Sequence, residues 1–536
     1  MRIIIAVASA TLSGFLLYAS LPPLDLSLLA WVTLVPLFMV LRSLRYQQAF
    51  CVAWLTGVVL YGLHCAWLLT VPGVPVLAFF TIVLYSGVYY GLFGLGFTVL
   101  IRRTGLSGVL VAPLLWAAIE FLRSNVAFLS LPFALLGFSQ YNTYKVLQLA
   151  SLTSVYGISC LIVLVNTTLA EVGLWAVGQC CSRTSGVPSR RGVVVASTVT
   201  IMSLLLVVLW GHQEVRRLDG AMAALLTTSL IQGNIPQLEK WQPASRAKIL
   251  QRYRDLTLWA AHDHPDLIIW PEAATPAYLS DNGKVYLAVR ELSRATGIPL
   301  LLGSASYAKI GRGTTRQYQF RNSVFLLDGQ GEVVATYDKM RLLPFGEYLP
   351  LQGHFPWPQW LVPRNGNFMA GTTPTIFALP KGRFGVVICW ENLFPDLFRR
   401  FVTAGAQFMV NPTNEAWFAP AASRQFLAMS VLRAVEHRVT LLRVANTGIT
   451  SFIDPLGRIQ ERVKDNTGND VNVAGFLTVT VPAPMGPTYY TRYGDVFAGT
   501  CAGVSVLFLL VAVLPVRVRR HATVAAPQIR YESYEE

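Results

Sequence analysis

Long apolar segments constrain this chain more than any other feature. Seven of them lie in the first 210 residues and an eighth lies near the C-terminus, at about 3–20, 25–41, 50–71, 75–101, 107–122, 150–177, 193–210 and 494–516. Each is close to the roughly 20 residues that an α-helix needs to cross a bilayer. The first could pass for a signal peptide, but further spans follow it at once. The sequence therefore predicts eight transmembrane helices, the first of which is retained.

Basic residues predict how these helices are oriented, because cytoplasmic loops are enriched in Lys and Arg. With a cytoplasmic N-terminus, the loops opposite the cytoplasm carry little besides Arg123 and Lys145. We therefore predict that both termini are cytoplasmic and that the region between the seventh and eighth spans lies outside the cytoplasm. The residues then on the cytoplasmic side are Arg2, Arg42, Arg45, Arg102, Arg103, Arg183, Arg190, Arg191, Arg517, Arg519 and Arg520.

The region between the seventh and eighth spans is typical of one large soluble domain. Charged residues are sparse up to residue 210 and ordinary from about 211 to 490, where apolar strand-like runs alternate with stretches of helical spacing. Roughly 270 residues are ample for a hydrophobic core. We predict a membrane domain at 1–210, an α/β domain with helix-covered sheets at 211–493, an eighth span at 494–516 and a cytoplasmic tail at 517–536.

Charge and cysteine content argue against some functions. The formal net charge is +15, but many arginines flank the spans, and no basic patch with interleaved aromatic residues indicates a nucleic-acid partner. The seven cysteines and seven histidines show no metal-ligand spacing. Six cysteines lie in or beside apolar segments, and we predict that Cys180 and Cys181 are inert. Cys389 is alone in the soluble domain, so it cannot form a disulfide within it.

Three polar residues in the soluble domain each follow an apolar strand. Glu272 comes just after 266–270, Lys339 after 332–337 and Cys389 after 384–388. Sites in α/β sheets gather beyond strand ends, and a carboxylate, an ammonium and a thiol together form a complete set for acyl transfer. Partial positive charge at the strand–helix junction is expected to favour the Cys389 thiolate. Singly, these residues fit a turn glutamate, a solvated lysine and a buried cysteine; together they favour the chemical interpretation.

The sequence around these residues resembles the nitrilase, or carbon–nitrogen hydrolase, superfamily. The resemblance covers roughly 225–485 and implies a four-layer α-β-β-α sandwich with a Glu-Lys-Cys triad. A nitrilase-like domain placed before the last of eight spans is similar to the bacterial membrane enzymes that N-acylate lipoproteins. The motifs are Trp270-Pro-Glu272, Asp338-Lys339, Pro344-Phe-Gly-Glu347, Val387-Ile-Cys389-Trp390-Glu391, Asn411-Pro-Thr-Asn414, Arg433-Ala-Val-Glu436 and Ala445-Asn-Thr-Gly448.

This resemblance implies a ping-pong reaction that needs no metal or dissociable cofactor. Cys389 would take an acyl chain from the sn-1 ester of a phospholipid, preferentially phosphatidylethanolamine, and hold it as a thioester. The chain would then pass to the α-amine of the diacylglyceryl-cysteine of an apolipoprotein, the final step of bacterial lipoprotein maturation. Glu272 would be the general base, and Lys339 would stabilise the oxyanion with backbone N–H groups near Trp390. The catalytic domain would face the periplasm from the inner membrane.

The resemblance also implies supporting residues. Glu347 and Glu391 are similar to acidic residues of the family and are expected to orient Lys339 or the incoming amine. Trp241 matches a tryptophan near the active-site entrance, although a surface aromatic packed on a loop is nearly as good an interpretation.

An uncharged aromatic loop at 355–363 suggests contact with lipid. Its Trp357 and Trp360 would expose an aromatic patch in water but suit the headgroup layer of a membrane. We predict that this loop dips into the outer leaflet and gates lipid entry, with Trp417 on the same rim.

Two other functions compete with acyl transfer to lipoproteins. A membrane-tethered amidase or nitrilase acting on a soluble amide would have the same triad. A transporter or sensor would use the soluble domain only to bind a ligand, and a transporter would usually carry paired intramembrane charges, which are scarce here. Eight spans are far more than a tether requires, so the sequence favours the acyltransferase.

Overall fold

The structure is a computed structural model that describes residues 1–180, 188–279, 283–310, 317–351, 353–358 and 368–514. The helices are α1 (Arg2–Ser20), α2 (Val35–Leu41), α3 (Tyr46–His64), α4 (Val76–Thr104), α5 (Gly108–Asn125), α6 (Tyr144–Leu147), α7 (Ala150–Cys180), α8 (Arg190–Asp219), α9 (Gln237–Lys240), α10 (Arg246–Ala261), α11 (Lys284–Thr296), α12 (Pro395–Thr403), α13 (Pro420–His437), α14 (Tyr489–Tyr493) and α15 (Val496–Val513). The strands are β1 (Ala224–Gln232), β2 (Leu267–Ile269), β3 (Leu300–Ile310), β4 (Gln317–Leu327), β5 (Val333–Asp338), β6 (Ile376–Leu379), β7 (Gly382–Val386), β8 (Phe408–Thr413), β9 (Thr440–Ala445), β10 (Ser451–Ile453), β11 (Ile459–Arg462) and β12 (Gly475–Pro482).

Helices lie in all eight stretches that the sequence marks as spans. Five of them, α1, α4, α7, α8 and α15, are long and apolar enough to cross a membrane by length and composition. The second stretch differs from the continuous helix that was expected. It forms a 3₁₀ helix, Ser27–Trp31, and then α2, because Pro36 lacks the N–H that a helix entering from residue 31 would need. How many of the eight cross the bilayer stays a prediction.

Two six-stranded sheets form the soluble domain. Their strand orders are β12-β1-β2-β3-β4-β5 and β11-β10-β9-β8-β7-β6. In each sheet three central strands run parallel, β1-β2-β3 and β7-β8-β9, and antiparallel strands complete the edges. Parallel strands are usually buried on both faces, which explains why β2, β8 and β9 are buried throughout.

Alternating side chains of the first sheet face two different layers. Leu267 and Ile269 belong to the large core that also contains Phe384 and Val386 of the second sheet, whereas Ile268 packs with α10 and α11. This alternation follows from the two-residue period of a strand. Helices α12 and α13 lie in the core of the second sheet. The predicted α-β-β-α sandwich beside a helical membrane part is confirmed.

Helix α13 joins the two parts of the molecule. Every residue from 425 to 437 is buried, because the second sheet covers one side of the helix and the membrane part covers the other. Gln425 Nε2 donates to the His64 carbonyl (2.9 Å), and Ser154 Oγ donates to Glu436 Oε1 (2.6 Å). The membrane part therefore contacts a helix that also packs on the 3₁₀ helix carrying Cys389.

Candidate active site

The three residues singled out from the sequence meet between the two sheets. Glu272 follows β2, Lys339 follows β5, and Cys389 begins the 3₁₀ helix Cys389–Leu393 after β7. Lys339 Nζ lies 3.7 Å from Glu272 Oε1, and the charges of both residues act on the Cys389 thiol. Glu272 and Lys339 are buried, while Cys389 is partly exposed. A reagent entering this site would reach the thiol with both charged groups already beside it.

A close approach of two backbones positions Glu272. A Cβ on Gly303 of β3 would lie 2.6 Å from the Glu272 Cα, so only glycine lets the turn after β2 pack this closely. The two carboxylate oxygens are then held separately. Oε1 accepts from Asn322 Nδ2 (2.7 Å), and Oε2 accepts from the backbone N–H of Asn414 (2.7 Å).

Lys339 is held between carboxylates. Its Nζ donates to Glu347 Oε1 at 3.0 Å, and Glu347 Oε2 accepts from the backbone N–H of Leu343. Burial lowers the pKa of Lys339, but Glu347 and Glu272 outweigh this effect and raise the pKa above its ordinary value. These carboxylates therefore favour the ammonium form of Lys339. From the sequence we expected Glu347 to orient either Lys339 or the incoming amine, and in the structure it contacts Lys339.

Asn322 of β4 joins the two carboxylates, and sequence reasoning missed it. Its Nδ2 donates to Glu272 Oε1 (2.7 Å) and to Glu347 Oε1 (3.0 Å), while its backbone carbonyl accepts from the Lys339 N–H (2.8 Å). No local signal marks it, because β4 carries other polar residues such as Gln319, Arg321 and Ser323. Asn411 and Asn414 lay in a quoted motif but had no assigned role.

Cys389 occupies a strained position. Its φ is 50°, in the left-handed region that a non-glycine residue rarely adopts, and such strain clusters at functional sites. Asn411 Nδ2 donates to the carbonyls of Val387 (2.7 Å) and Cys389 (3.3 Å), which holds the turn. Burial first, and then the Glu272 carboxylate, raise the pKa of the Cys389 thiol to about 12, although Lys339 opposes them. The expectation of a stabilised thiolate is therefore wrong, since desolvation outweighs the cation.

Glu391 connects the Lys339 loop to the Cys389 turn. Oε1 accepts from the backbone N–H groups of Met340 (2.7 Å) and Arg341 (2.9 Å), and Oε2 accepts from that of Ile388 (2.7 Å). The hydroxyl of Tyr337 donates to both oxygens. Burial raises the pKa of Glu391 to about 7, against the effect of these donors. The side chain is thus bound to backbone on both sides of the site rather than to the Lys339 ammonium.

The arrangement has the parts needed for acyl transfer. The first N–H groups of the 3₁₀ helix, at Cys389 and Trp390, have no acceptor within that helix. An oxyanion formed on a carbonyl attacked by the thiol would lie between such N–H groups and the Lys339 ammonium. Glu272 is a buried carboxylate whose charge acts on the Cys389 thiol. Among the described residues, no three His, Cys, Asp or Glu side chains come together as metal ligands would.

Among the described residues, no hydrogen bond or ring contact joins Trp241, Trp357 or Trp417 to the three central residues. Trp241 is 42% exposed, and its ring lies 6.4 Å from that of Tyr278. Trp357 packs against Phe345 (5.0 Å) and Phe355 (4.4 Å). Trp417 is partly exposed, and Trp360 lies outside the described residues.

Trp390 faces the membrane part rather than the site. Its ring lies 6.0 Å from that of Phe133, a residue between the fifth and seventh helices. The backbone of Trp390 therefore borders the site while its side chain anchors the 3₁₀ helix on the membrane part.

Two family matches divide the chain as its fold does. Residues 13–168 match the family described as the Apolipoprotein N-acyltransferase N-terminal domain, and residues 227–481 match the family described as Carbon-nitrogen hydrolase. The Apolipoprotein N-acyltransferase of Geobacter metallireducens is 35% identical over 512 residues, covering 94% of this chain and 94% of its own. That of Gloeobacter violaceus is 30% identical and covers 95% and 94%. Among solved structures, an amidase from Nesterenkonia sp. aligns at TM-score 0.37 and 17% identity over 52% of this chain and 96% of its own.

Proposed function

The chain belongs to the apolipoprotein N-acyltransferase family, and on this premise we propose that it moves an acyl chain from a membrane phospholipid to the N-terminal diacylglyceryl-cysteine of an apolipoprotein. The observation that carries the proposal is that buried Glu272 and Lys339 lie beside the partly exposed Cys389, on a domain packed against apolar helices. Relatives with this name match over nearly the whole chain, membrane part included. A tethered amidase would need the same three residues but not those helices.

In the first half-reaction the phospholipid ester acylates Cys389. Because the thiol has a raised pKa, its proton must leave as the sulfur attacks the ester carbonyl, and Glu272 accepts it. Lys339 Nζ and the N–H groups at the start of the 3₁₀ helix stabilise the oxyanion. As the C–O bond breaks, Glu272 returns the proton to the glyceryl oxygen. A lysophospholipid leaves, and the acyl chain remains as a thioester.

In the second half-reaction the α-amine of the acceptor attacks the thioester. Glu272 takes a proton from the attacking nitrogen and gives one to the departing sulfur. A thiolate whose conjugate acid has a pKa of about 12 is a poor leaving group, so this proton and the Lys339 charge both assist its departure. Glu347 keeps the ammonium in place, and Glu391 fixes the backbone on both sides as a positioning residue.

The proposal also includes the side of the membrane on which the catalytic domain lies. We assign the catalytic domain, residues 211–493, to the periplasmic side, and both termini to the cytoplasm. Arginine placement supports this assignment. It brings the site to the outer leaflet, where the donor phospholipid and a lipoprotein anchored by its diacylglyceryl group both reside.

Peptide-mapped mass spectrometry tests the function. Detergent-purified protein is incubated with phosphatidylethanolamine and no acceptor, and we expect an acyl adduct on the Cys389 peptide that hydroxylamine removes and Cys389→Ala lacks. Adding a diacylglyceryl lipopeptide should transfer the chain to its α-amine. A cysteine that stays bare with lipid but traps a small amide would replace this proposal with the amidase. A cysteine that reacts with neither would favour a ligand-binding domain.

A further inference from the structure

Arg443 of β9 is a buried arginine near the Cys389 turn that the proposed mechanism does not use. It is 1% exposed, and in the sheet register it pairs with Asn411 of the parallel strand β8. Its Nη1 donates to Asn411 Oδ1 (3.0 Å), and its Nη2 donates to Glu415 Oε1. The Glu415 side chain is also 1% exposed. An ion pair is therefore enclosed in the second sheet, one hydrogen bond away from the amide that holds the Cys389 turn.

The fold makes room for this ion pair. A Cβ on Gly448 would lie 1.8 Å from Glu415 Oε2, so only glycine at this position leaves space for the carboxylate. Buried ion pairs add little net stability, because the cost of removing two charges from water offsets their attraction. The pair is therefore better explained by what it does to Asn411 than by stability alone.

The Arg443 guanidinium determines which end of the Asn411 amide faces the Cys389 turn. A guanidinium has donors and no acceptor, so the amide oxygen must face it. The amide NH₂ then faces the turn, where it donates to the carbonyls of Val387 (2.7 Å) and Cys389 (3.3 Å). If the amide were reversed, its oxygen would meet these carbonyl oxygens with no hydrogen between them. Arg443 thus selects the orientation in which Asn411 can hold the turn.

A hold on the Cys389 carbonyl also fixes the N–H of the next residue. Because a peptide bond is planar and trans, the Trp390 N–H points away from the Cys389 carbonyl. This N–H is one of those assigned to the oxyanion. Its direction depends on the surrounding contacts, since the φ of Cys389 is 50° and such a strained conformation persists only where neighbouring groups maintain it.

We propose that Arg443 is a positioning residue for acyl transfer, which orients Asn411 so that the amide holds the Cys389 carbonyl and directs the Trp390 N–H at the oxyanion. The inference rests on the acyl-transfer step of the proposed function, but it depends on neither a phospholipid donor nor a lipoprotein acceptor. Any carbonyl compound that acylates Cys389 needs the oxyanion donors, whereas a reaction at the same sulfur that forms no oxyanion does not.

Two reagents for Cys389 separate these cases. Para-nitrophenyl butyrate acylates the thiol through an oxyanion: a bond forms between the sulfur and the carbonyl carbon, the thiol proton leaves, and para-nitrophenolate departs. Iodoacetamide alkylates the same sulfur at a saturated carbon and releases iodide, so no oxyanion forms. Both rates are read from the Cys389 peptide of the full-length protein in detergent by mass spectrometry. The ratio of acylation to alkylation then reports on the oxyanion donors.

The double variant Arg443→Met/Glu415→Gln removes the donor to Asn411 without leaving an unpaired buried charge. We expect the ratio of acylation to alkylation to fall about tenfold or more, because misdirecting one oxyanion donor loses part of the roughly 100-fold effect of removing it. Arg443→Lys should lose less, since an ammonium can still donate to Asn411 although it lacks the fork that reaches Glu415 as well. An unchanged ratio in the double variant would overturn the proposal.

Arg433→Met/Glu436→Gln is the matched control. It removes another buried arginine–glutamate pair, one that pairs within α13 rather than with Asn411. The melting temperature should fall in both double variants, but the control should keep the ratio of acylation to alkylation. If the control lowered this ratio as much as Arg443→Met/Glu415→Gln does, the loss of a buried pair would explain the result and the positioning role would be wrong.

A double-mutant cycle tests whether Arg443 acts through Asn411. Asn411→Ala should lower the ratio about as much as Arg443→Met/Glu415→Gln, and the three substitutions together should lower it little further. Losses that multiply would show that Arg443 acts independently of Asn411 and would refute the proposal. None of these measurements uses a phospholipid. If para-nitrophenyl butyrate acylates Cys389 but phosphatidylethanolamine never does, the proposed donor is wrong and the result for Arg443 still stands.

Discussion

At the scale of single residues, the proton on Cys389 decides how the site works. The thiol is not preset as a thiolate, because burial and the Glu272 carboxylate raise its pKa to about 12. In the proposed mechanism, the carboxylate that keeps the proton on sulfur is also the group that removes it when a carbonyl arrives. This double role gives Glu272 two separable effects.

Glu272→Gln should therefore move two measurements in opposite directions. Acylation of Cys389 by phosphatidylethanolamine should fall about 100-fold or more, because the general base is lost. Alkylation by iodoacetamide at about pH 9 should become faster, because removing a neighbouring negative charge lowers the thiol pKa and raises the thiolate fraction. Both rates are read from the Cys389 peptide by mass spectrometry.

Glu461→Gln is a suitable control for that experiment, since Glu461 is exposed on β11 at the edge of the second sheet. It should change neither rate. If alkylation and acylation both fell in Glu272→Gln, the variant would be disrupting the site rather than removing a base, and the assigned role would be wrong.

The sequence predicts the residues with chemistry better than those that hold them. Glu272, Lys339 and Cys389 each follow a recognisable apolar strand, and short motifs surround them. Asn322 has no such mark, because its importance comes from β4 lying beside β5 and facing the turn after β2. The raised thiol pKa was missed for a similar reason: desolvation depends on how the two sheets close over the residue, which local sequence does not contain.

At the scale of elements, Glu391 fixes the loop after β5 relative to the turn after β7, because it accepts hydrogen bonds from the backbone of both. Glu391→Gln replaces one accepting oxygen by an NH₂ group, which leaves backbone donors such as the Ile388 N–H without an acceptor. We expect acylation to fall about tenfold or more, since one unsatisfied buried donor costs about 1–3 kcal/mol. The melting temperature in detergent should also fall, and both losses are measured on the same preparation.

The pH dependence of stability provides an independent test of Glu391. Its pKa in the folded protein is raised to about 7 from the ordinary 4.5, so the folded state binds this proton more tightly than the unfolded state. The stabilisation is complete below about pH 4.5 and is lost as the pH rises through 7. Melting temperatures measured across this pH range should show the loss of stability in the unsubstituted protein and not in Glu391→Gln. If the melting temperatures of the two proteins depended on pH in the same way, Glu391 would not titrate in this range.

The aromatic loop is an element whose role is still a prediction. Trp357 packs with Phe345 and Phe355, and its Nε1 donates to the Pro350 carbonyl (2.6 Å), so the loop has a small aromatic cluster of its own. Trp357→Ser should slow acylation from vesicle phospholipid several-fold and leave a soluble short-chain ester unaffected, because only the membrane-bound donor needs the loop.

Trp259→Ser is the matched control, because Trp259 is 60% exposed on α10, on the far side of the first sheet. It should affect neither donor. Equal loss on vesicle lipid and on the short-chain ester in Trp357→Ser would show that Trp357 supports the site itself and does not control lipid entry.

At the scale of the whole molecule, hydropathy predicts the membrane part, periodicity predicts an α/β domain, and the family resemblance implies the sandwich. None of them predicts how the two parts join. Helix α13 shows why. Its sequence contains Arg433, Glu436 and His437, which suggest an exposed face, yet all three are buried. Arg433 and Glu436 pair with each other (2.7 Å), and Ser154, where α7 departs from helical geometry, donates to the same carboxylate. That burial exists only when both parts of the chain are present.

The orientation of the whole molecule can be measured by labelling single cysteines in a cysteine-free background. Asn466 is exposed in the turn after β11, and Ser43 is exposed in the loop between α2 and α3. With the catalytic domain outside the cytoplasm, an impermeant maleimide should label Asn466→Cys in intact spheroplasts but label Ser43→Cys only after permeabilisation. The physical reason is the arginine-rich inner loops, which resist translocation. The opposite pattern would place the site on the cytoplasmic side, away from lipoproteins anchored in the outer leaflet, and the proposed acceptor would then be wrong even if Cys389 still forms a thioester.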